Sequence, residues 1–236
     1  MPTPENRHIV VLSGAGLSAA SGVPTFRDAD GLWEGHRFED VATPEAWFRN
    51  REMVRRFYDE RRINCASVLP NPGHEALARL QHLLGPKQVT LVTQNVDGLL
   101  EKAGAHDVIE MHGSLFRLKC EADDDHPRIG VFGPQRREAV CAVCGAALRP
   151  DVVWFGEVPV YMDRIEAALM RCELFVSVGT SGFVYPAAGF SQAARRLGAH
   201  CIEVNPKPSG AMFDEVHAEG SETALPRLVS QWLGEV

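Results

Sequence analysis

No apolar run in the 236-residue chain approaches the ~20 residues that a bilayer-spanning helix needs, so a membrane protein is not expected. The opening stretch, residues 1–7, is polar and lacks the apolar core of a secretory signal, which leads to the expectation of a cytoplasmic protein. Positive charge is not in excess: 24 Lys and Arg stand against 31 Asp and Glu, a formal net charge of −7, and the basic face that holds nucleic acid is missing. Internal repeats and low-complexity tracts are also lacking. With 45% hydrophobic and 23% charged residues the composition suits a folded domain and not a disordered chain. The six cysteines (Cys65, Cys120, Cys141, Cys144, Cys172, Cys201) are irregularly spaced in a chain too large to need disulfide staples, which leaves metal binding or core packing as their use.

What the sequence does contain is a rhythm of short apolar runs and helical patterns. Strands are expected at 8–13, 88–93, 107–111, 174–178 and 200–204, with helices at 73–84, 158–171, 186–197 and 223–233. Strands alternating with helices predict an α/β fold, a Rossmann-like parallel sheet with helices on both faces. Two stretches break the rhythm. In 34–70, Thr43 is a plausible N-cap and Pro44 suits the first helical position, opening one helix towards Arg61. In 113–157 the pattern is irregular, with an acidic run from Glu121 to Asp125, glycines, prolines and a Cys-x-x-Cys. The expected division is therefore a nucleotide-binding domain from 1–33, 71–112 and 158–236, carrying a small domain from the helical insertion 34–70 and a zinc-ribbon-like insertion 113–157.

The first strand runs into Gly14-Ala15-Gly16-Leu17-Ser18-Ala19, a G-x-G-x-x-A turn. Glycines there let the backbone turn tightly and come close to a pyrophosphate at a helix N-terminus. Taken alone, the turn is as well explained by an ordinary strand-to-helix connection. A dehydrogenase would follow it with a second strand and an acidic residue ~20 positions on. This chain follows it with Ser21-Gly22-Val23-Pro24-Thr25-Phe26-Arg27-Asp28 and Gly31-Leu32-Trp33, a glycine- and proline-rich loop. That weakens the dehydrogenase reading.

Four more blocks lie just after apolar runs, where loops at the carboxyl ends of parallel strands gather ligands. They are Thr93-Gln94-Asn95-Val96-Asp97-Gly98-Leu99, Glu110-Met111-His112-Gly113-Ser114, Val178-Gly179-Thr180-Ser181 and Glu203-Val204-Asn205-Pro206. Amides and a carboxylate suit a ribose and a carboxamide, and small residues permit close approach, although the same residue types are favoured in plain turns. One histidine among nine is more often structural than catalytic, but His112 follows a strand directly and precedes a glycine. Its ordinary pKa near ~6.5 fits a general base at neutral pH.

Together with Gly14-Ala15-Gly16-Leu17-Ser18 and Gly22-Val23-Pro24-Thr25-Phe26-Arg27, these blocks resemble the sirtuin family across nearly the whole chain. The resemblance implies an NAD-dependent protein-lysine deacylase. In such an enzyme the acyl-lysine oxygen attacks the nicotinamide ribose, His112 deprotonates a ribose hydroxyl, and the products are nicotinamide, O-acyl-ADP-ribose and free lysine. It also implies that His112, Asn95 and Asp97 are catalytic. NAD would be bound by Gly14, Ala15, Gly16, Ser18, Phe26, Arg27, Trp33, Gln94, Asn95, Asp97, Gly179, Thr180, Ser181, Asn205 and Ser221. The partner would be an acylated lysine held in an extended protein segment by strand addition along Val153, Phe155, Gly156 and Glu157 on one side and Val184 and Tyr185 on the other. Oligomeric state is left open, with a monomer as the default.

Tyr58 and Arg61 stand three apart on the expected helix and so share a face. By spacing alone they belong to an exposed basic face with Arg55, Arg56 and Arg62. With Ala42 upstream, they resemble the desuccinylase and demalonylase branch of the family, in which a tyrosine and an arginine hold the acyl carboxylate and a small alanine leaves room. Cys141-x-x-Cys144 has zinc-knuckle spacing, and family members pair it with a second Cys-x-x-Cys around one structural zinc. Here Cys120 is present but Asp123 occupies its partner position, so the fourth ligand is Asp123 or His126, or else the metal is lost. The redox use of Cys-x-x-Cys is disfavoured by its surroundings. Two other functions share these residues: an NAD-dependent ADP-ribosyltransferase, and a non-catalytic module that binds NAD or ADP-ribose.

Overall fold

The computed structural model describes residues 7–24, 36–136 and 139–235. Six parallel strands form the main sheet: β1 (Ile9–Ser13), β2 (Val89–Thr93), β3 (Ile109–Glu110), β7 (Leu174–Val178), β8 (His200–Val204) and β9 (Glu215–His217). Their order is β3-β2-β1-β7-β8-β9, so the chain winds outward in both directions from β1. The switch point between β1 and β7 is where a doubly wound sheet opens a crevice at the carboxyl ends of its strands.

Period-two alternation explains why both faces are covered. Ile9 and Val11 point into one apolar layer, formed with helices α5 (Pro72–Leu84) and α9 (Ser221–Trp232). Val10 and Leu12 point into the other, formed with α7 (Met162–Leu169) and α8 (Phe190–Arg196). A strand buried on both faces reads as a continuous apolar run, and for that reason β1, β2, β7 and β8 fall where the sequence puts them.

The insertions depart more. The single helix expected from Pro44 to Arg61 is two helices, α3 (Pro44–Arg49) and α4 (Arg51–Ser67), preceded by α2 (Phe38–Val41). Thr43 caps α3 as expected, its hydroxyl accepting from Ala46 N at 3.0 Å. Asn50 then leaves helical geometry (φ −154°, ψ 79°) and caps α4, its Oδ1 accepting from Met53 N at 3.1 Å. An asparagine side chain that competes for backbone N–H groups stops one helix and starts the next. Within 113–157 the chain forms an antiparallel three-stranded sheet, β5-β4-β6, from Gly113–Cys120 (β4), Ile129–Gly130 (β5) and Leu148–Val152 (β6). Residues from both insertions (Val54, Phe57 and Tyr58 with Leu115, Val152 and Trp154) share one apolar cluster. Among the described residues no helix is long and apolar enough to cross a membrane.

Candidate active site

The loops after β1, β2, β7 and β8 meet at the switch point. Gly14 N donates to Val178 O, Gly16 N to Gly179 O and Gly179 N to Val204 O, each at 2.9 Å. This closeness is why the positions are glycine. A Cβ on Gly16 would stand 2.6 Å from the Gly179 Cα, and one on Gly179 (φ +58°) would stand 2.5 Å from Leu17 N. The expectation that these glycines serve a pyrophosphate is thus incomplete, because the first obligation they meet is to one another. Helix α1 (Ala15–Ser18) begins directly after Gly14.

Below this turn lies a fully connected polar network. Ser18 Oγ donates to Asp97 Oδ2 at 2.7 Å and accepts from Asn95 Nδ2 at 3.1 Å. Asn95 Nδ2 also reaches Gly14 O at 3.0 Å, and Asp97 Oδ1 accepts from Leu99 N at 3.0 Å. Asp97 is buried, and both its oxygens are engaged inside the protein. His74 completes the network, and the sequence reading missed it. Its Nδ1 accepts from Asn71 N at 3.2 Å, which puts the proton on Nε2, 3.3 Å from Ser18 Oγ. Burial, more than the opposing attraction of Asp97, drives the His74 pKa down to about 4, so the ring is neutral at pH 7. Its signal was present: Asn71-Pro72-Gly73-His74 is a cap, a proline at the first helical position and a side chain that bonds back to the cap.

His112 follows β3. Its Nδ1 lies 3.1 Å from Gln94 O, and since a carbonyl only accepts, Nδ1 carries the hydrogen and Nε2 keeps its lone pair. The ring is half-buried, and burial pulls its pKa below the usual histidine value, against the opposing effect of the Gln94 bond. Gly113 (φ +79°) follows because a Cβ there would lie 2.0 Å from Asp151 O across the β4–β6 pairing. On the far side, Asn205 Nδ2 donates to Thr180 O at 2.7 Å, Thr180 Oγ1 pairs with Ser177 Oγ at 2.9 Å, and Ser181 Oγ accepts from Phe183 N. Ser221 is buried at the start of α9 with its hydroxyl directed to Leu17 O, where it supports the glycine turn. Gly14, Ala15, Gly16, Ser18, Gln94, Asn95, Asp97, Gly179, Thr180, Ser181 and Asn205 therefore gather at one sheet edge. Phe26, Arg27 and Trp33 lie outside the described residues. The donors and the tight glycine cradle at a doubly wound switch point fit a dinucleotide.

The two segments expected to hold an extended peptide are not strands. Residues 153–157 close into a turn: Val153 N donates to His112 O, Phe155 N to Ala42 O, and Gly156 has φ +90°. Glu157 accepts from Arg149 and from Trp154 N. In the first segment the N–H groups of Val153, Trp154, Phe155 and Glu157 are bonded within the protein. Phe155, Val184 and Tyr185 are exposed on these segments.

Nor are Tyr58 and Arg61 on an exposed face. Tyr58 is fully buried, accepts from Trp154 Nε1 at 2.9 Å, and its pKa is pushed up by burial. Arg61 is 6% exposed with its guanidinium over the Phe57 ring, and Ala42 lies in the same apolar cluster as Tyr58. Arg62, expected in solvent, is buried as a tie between elements: Nε donates to Leu115 O at 2.6 Å and Nη1 to Asp59 at 2.5 Å.

At the outer end of the small sheet, Cys120, His126, Cys141 and Cys144 bring their ligand atoms within 4.8 Å of one another. Cys120 and Cys144 sulfurs are 3.5 Å apart, and Cys141 Sγ is 3.4 Å from His126 Nδ1. Tetrahedral zinc with sulfur and nitrogen ligands sets such atoms roughly 3.4–3.8 Å apart, so this Cys3His group fits one Zn²⁺. Asp123 is not in the group, which decides the fourth ligand in favour of His126.

The Sir2 family profile matches residues 14–186. An NAD-dependent protein deacylase of Salmonella typhimurium is 46% identical over 235 residues, covering 97% of this chain and 85% of that protein. One from Vibrio cholerae is 46% identical over 233 residues, covering 96% and 94%. Among solved structures, a Sir2 homologue in complex with NAD superposes with a TM-score of 0.88 at 34% identity, covering 99% of this chain and 92% of the other. A Sir2 complex with a p53 peptide and NAD⁺ gives 0.79 at 26%, covering 99% and 97%.

Proposed function

From its membership of the Sir2 family, which the matches establish, we propose that this chain is an NAD-dependent protein deacylase whose general base is His112 and whose preferred acyl groups are short and acidic. The observation that carries the assignment of the base is the Nδ1–Gln94 O bond, which leaves the Nε2 lone pair as the proton acceptor. NAD supplies the ADP-ribose unit to which the acyl group passes as nicotinamide departs.

The protein's own part is positional and electrostatic. Gly14, Gly16, Gly179, Thr180, Ser181 and Asn205 form the cradle for the phosphates and the adenosine end. Ser18, Asn95 and Asp97 act as one unit: Asp97 holds Ser18 and the start of the next helix (Leu99–Lys102), and Ser18 orients the Asn95 amide. His112 Nε2 takes the proton from a ribose hydroxyl. Phe155, Val184 and Tyr185 border the acylated peptide.

For the acyl group, support comes from burial. Tyr58 and Arg61 face inward from α4 beside Ala42, and a guanidinium out of water favours the company of a carboxylate, which it binds in a bidentate fork. Succinyl and malonyl lysine provide that carboxylate, and acetyl lysine does not. The Cys3His zinc would be structural, closing a ribbon whose apolar cluster is small. His112 stands between β3 of the main sheet and β4 of the small sheet, which supports reading the base at the junction of a nucleotide domain and a small domain.

The test is nicotinamide release from labelled NAD with acylated peptide. Deacylation predicts that the label leaves as a small acyl adduct in step with free lysine. Label retained on protein would mean ADP-ribosyl transfer, and no nicotinamide at all would mean a binding module.

A further inference from the structure

The acidic run 121–125 plays no part in the catalytic account, yet its members have defined partners. Glu121 accepts from Trp47 Nε1 at 2.8 Å and pairs with Arg51 at 2.8 Å, which ties the loop to α3 and α4. Asp124 pairs with the buried Lys119 at 2.9 Å and with Arg128 at 3.7 Å. Asp123 differs from both. Its Oδ1 accepts from Asp125 N at 2.9 Å, which fixes the carboxylate within the loop, and its Oδ2 stands 3.5 Å from His126 Nε2. The other ring nitrogen of His126 faces Cys141 Sγ at 3.4 Å.

These two distances point to separate roles for the two ring nitrogens. A neutral imidazole has one N–H and one lone pair. The nitrogen that faces the Cys141 sulfur is Nδ1, so a metal held there takes the Nδ1 lone pair and the proton sits on Nε2, on the side of Asp123. We propose that His126 ligates Zn²⁺ through Nδ1, and that Asp123 is a positioning residue that accepts a hydrogen bond from the Nε2–H and holds the ring at the metal. The inference rests on the Cys3His group. A carboxylate behind a metal-bound histidine fixes its tautomer and ring angle and raises the basicity of the ligating nitrogen. The aspartate that the sequence offers as an alternative ligand thus works one step behind the ligand.

Zinc affinity of the full-length protein, measured by competition with a chromophoric chelator, tests this without reference to turnover. Wild type should bind one Zn²⁺ per chain. Asp123→Ala should also bind one at saturation, with native far-ultraviolet circular dichroism, but with affinity lower by about 10- to 100-fold. The Co²⁺-loaded spectra of the two should coincide, because the ligands are the same three thiolates and one nitrogen. In a His126→Cys background, Asp123→Ala should change zinc affinity by less than about twofold, since no imidazole is left to position. The proposal is overturned if Asp123→Ala alone changes affinity by less than that, or if the loss persists in the His126→Cys background. A Co²⁺ spectrum altered by removal of Asp123 would overturn it too, because Asp123 would then be a ligand. A wild-type protein that takes up no zinc at saturating metal removes the Cys3His group itself and this inference with it.

Discussion

His112 donates from Nδ1 to the main-chain carbonyl of Gln94 at 3.1 Å, so the loop after β2 sets the tautomer of the histidine that follows β3. Both loops sit at the carboxyl edge of the sheet, and the same Gln94-Asn95-Val96-Asp97 segment carries the Ser18 network. One segment thus links the histidine after β3 to the glycine turn after β1. That arrangement fits a reaction in which a proton must leave a defined hydroxyl.

The first prediction concerns pH. Burial lowers the His112 pKa, so the neutral, proton-accepting form persists below the ordinary histidine value. The acid limb of log kcat/KM should fall below about pH 6.5 and level off above it. An acid limb centred above that value would contradict the assignment of the base.

A second prediction concerns Gly179. An alanine there meets Gly16 and Leu17 main chain at 2.5–2.6 Å and must hold φ +58°. Gly179→Ala should cost about 3 kcal/mol, lowering Tm by roughly 6–12 °C. Gly22→Ala has φ +86° but nothing within 4 Å, and should cost only about 1 kcal/mol. Equal losses in thermal unfolding would show that loop contact is not the reason for glycine.

Arg61→Met should reduce kcat/KM on succinyl-lysine peptide roughly 10- to 100-fold more than on the acetyl equivalent, the value of a charge-assisted hydrogen-bond pair. Equal losses on both would show that Arg61 serves the fold and does not contact the acyl carboxylate.

His74 should make the fold acid-sensitive. Its folded pKa is depressed to about 4, so between pH 6.5 and 4 the unfolded chain binds more protons. The stabilisation is complete above pH 6.5 and declines on acidification, by up to about 3 kcal/mol. Urea unfolding of wild type and His74→Gln should give a stability difference that shrinks from pH 7 to pH 4.5. A difference constant with pH would count against this account of His74.

What the sequence made legible follows from how each residue is buried. β1, β2, β7 and β8 announce themselves because a short continuous apolar run suits a strand buried on both faces. The edge strand β9, Glu-Val-His, carries no such run and went unseen. β4 and β6 were hidden by buried Lys119 and Arg149, which read as solvent-facing until their partners Asp124 and Glu157 are known. Arg62 was hidden in the same way by Asp59 and the Leu115 carbonyl. The ligand-edge blocks were legible through motif; the link from Ser18 to His74 and Asp97 was not, because it spans 56 and 79 residues of sequence, and the local cap at Asn71 and His74 does not announce it. The zinc ligands were legible to within one residue, since Asp123 and His126 both follow Cys120 closely in sequence and only the fold separates ligand from support.

The most direct test of the central claim is parallel measurement of free lysine and nicotinamide from succinyl-lysine peptide and NAD, in wild type and in folded His112→Ala. Wild type should release the two in equal amounts and only when NAD is present, and His112→Ala should lower the rate by about 10²- to 10⁴-fold with its unfolding curve little changed. A folded His112→Ala protein that turns over at the wild-type rate, or lysine release without NAD, would contradict the account.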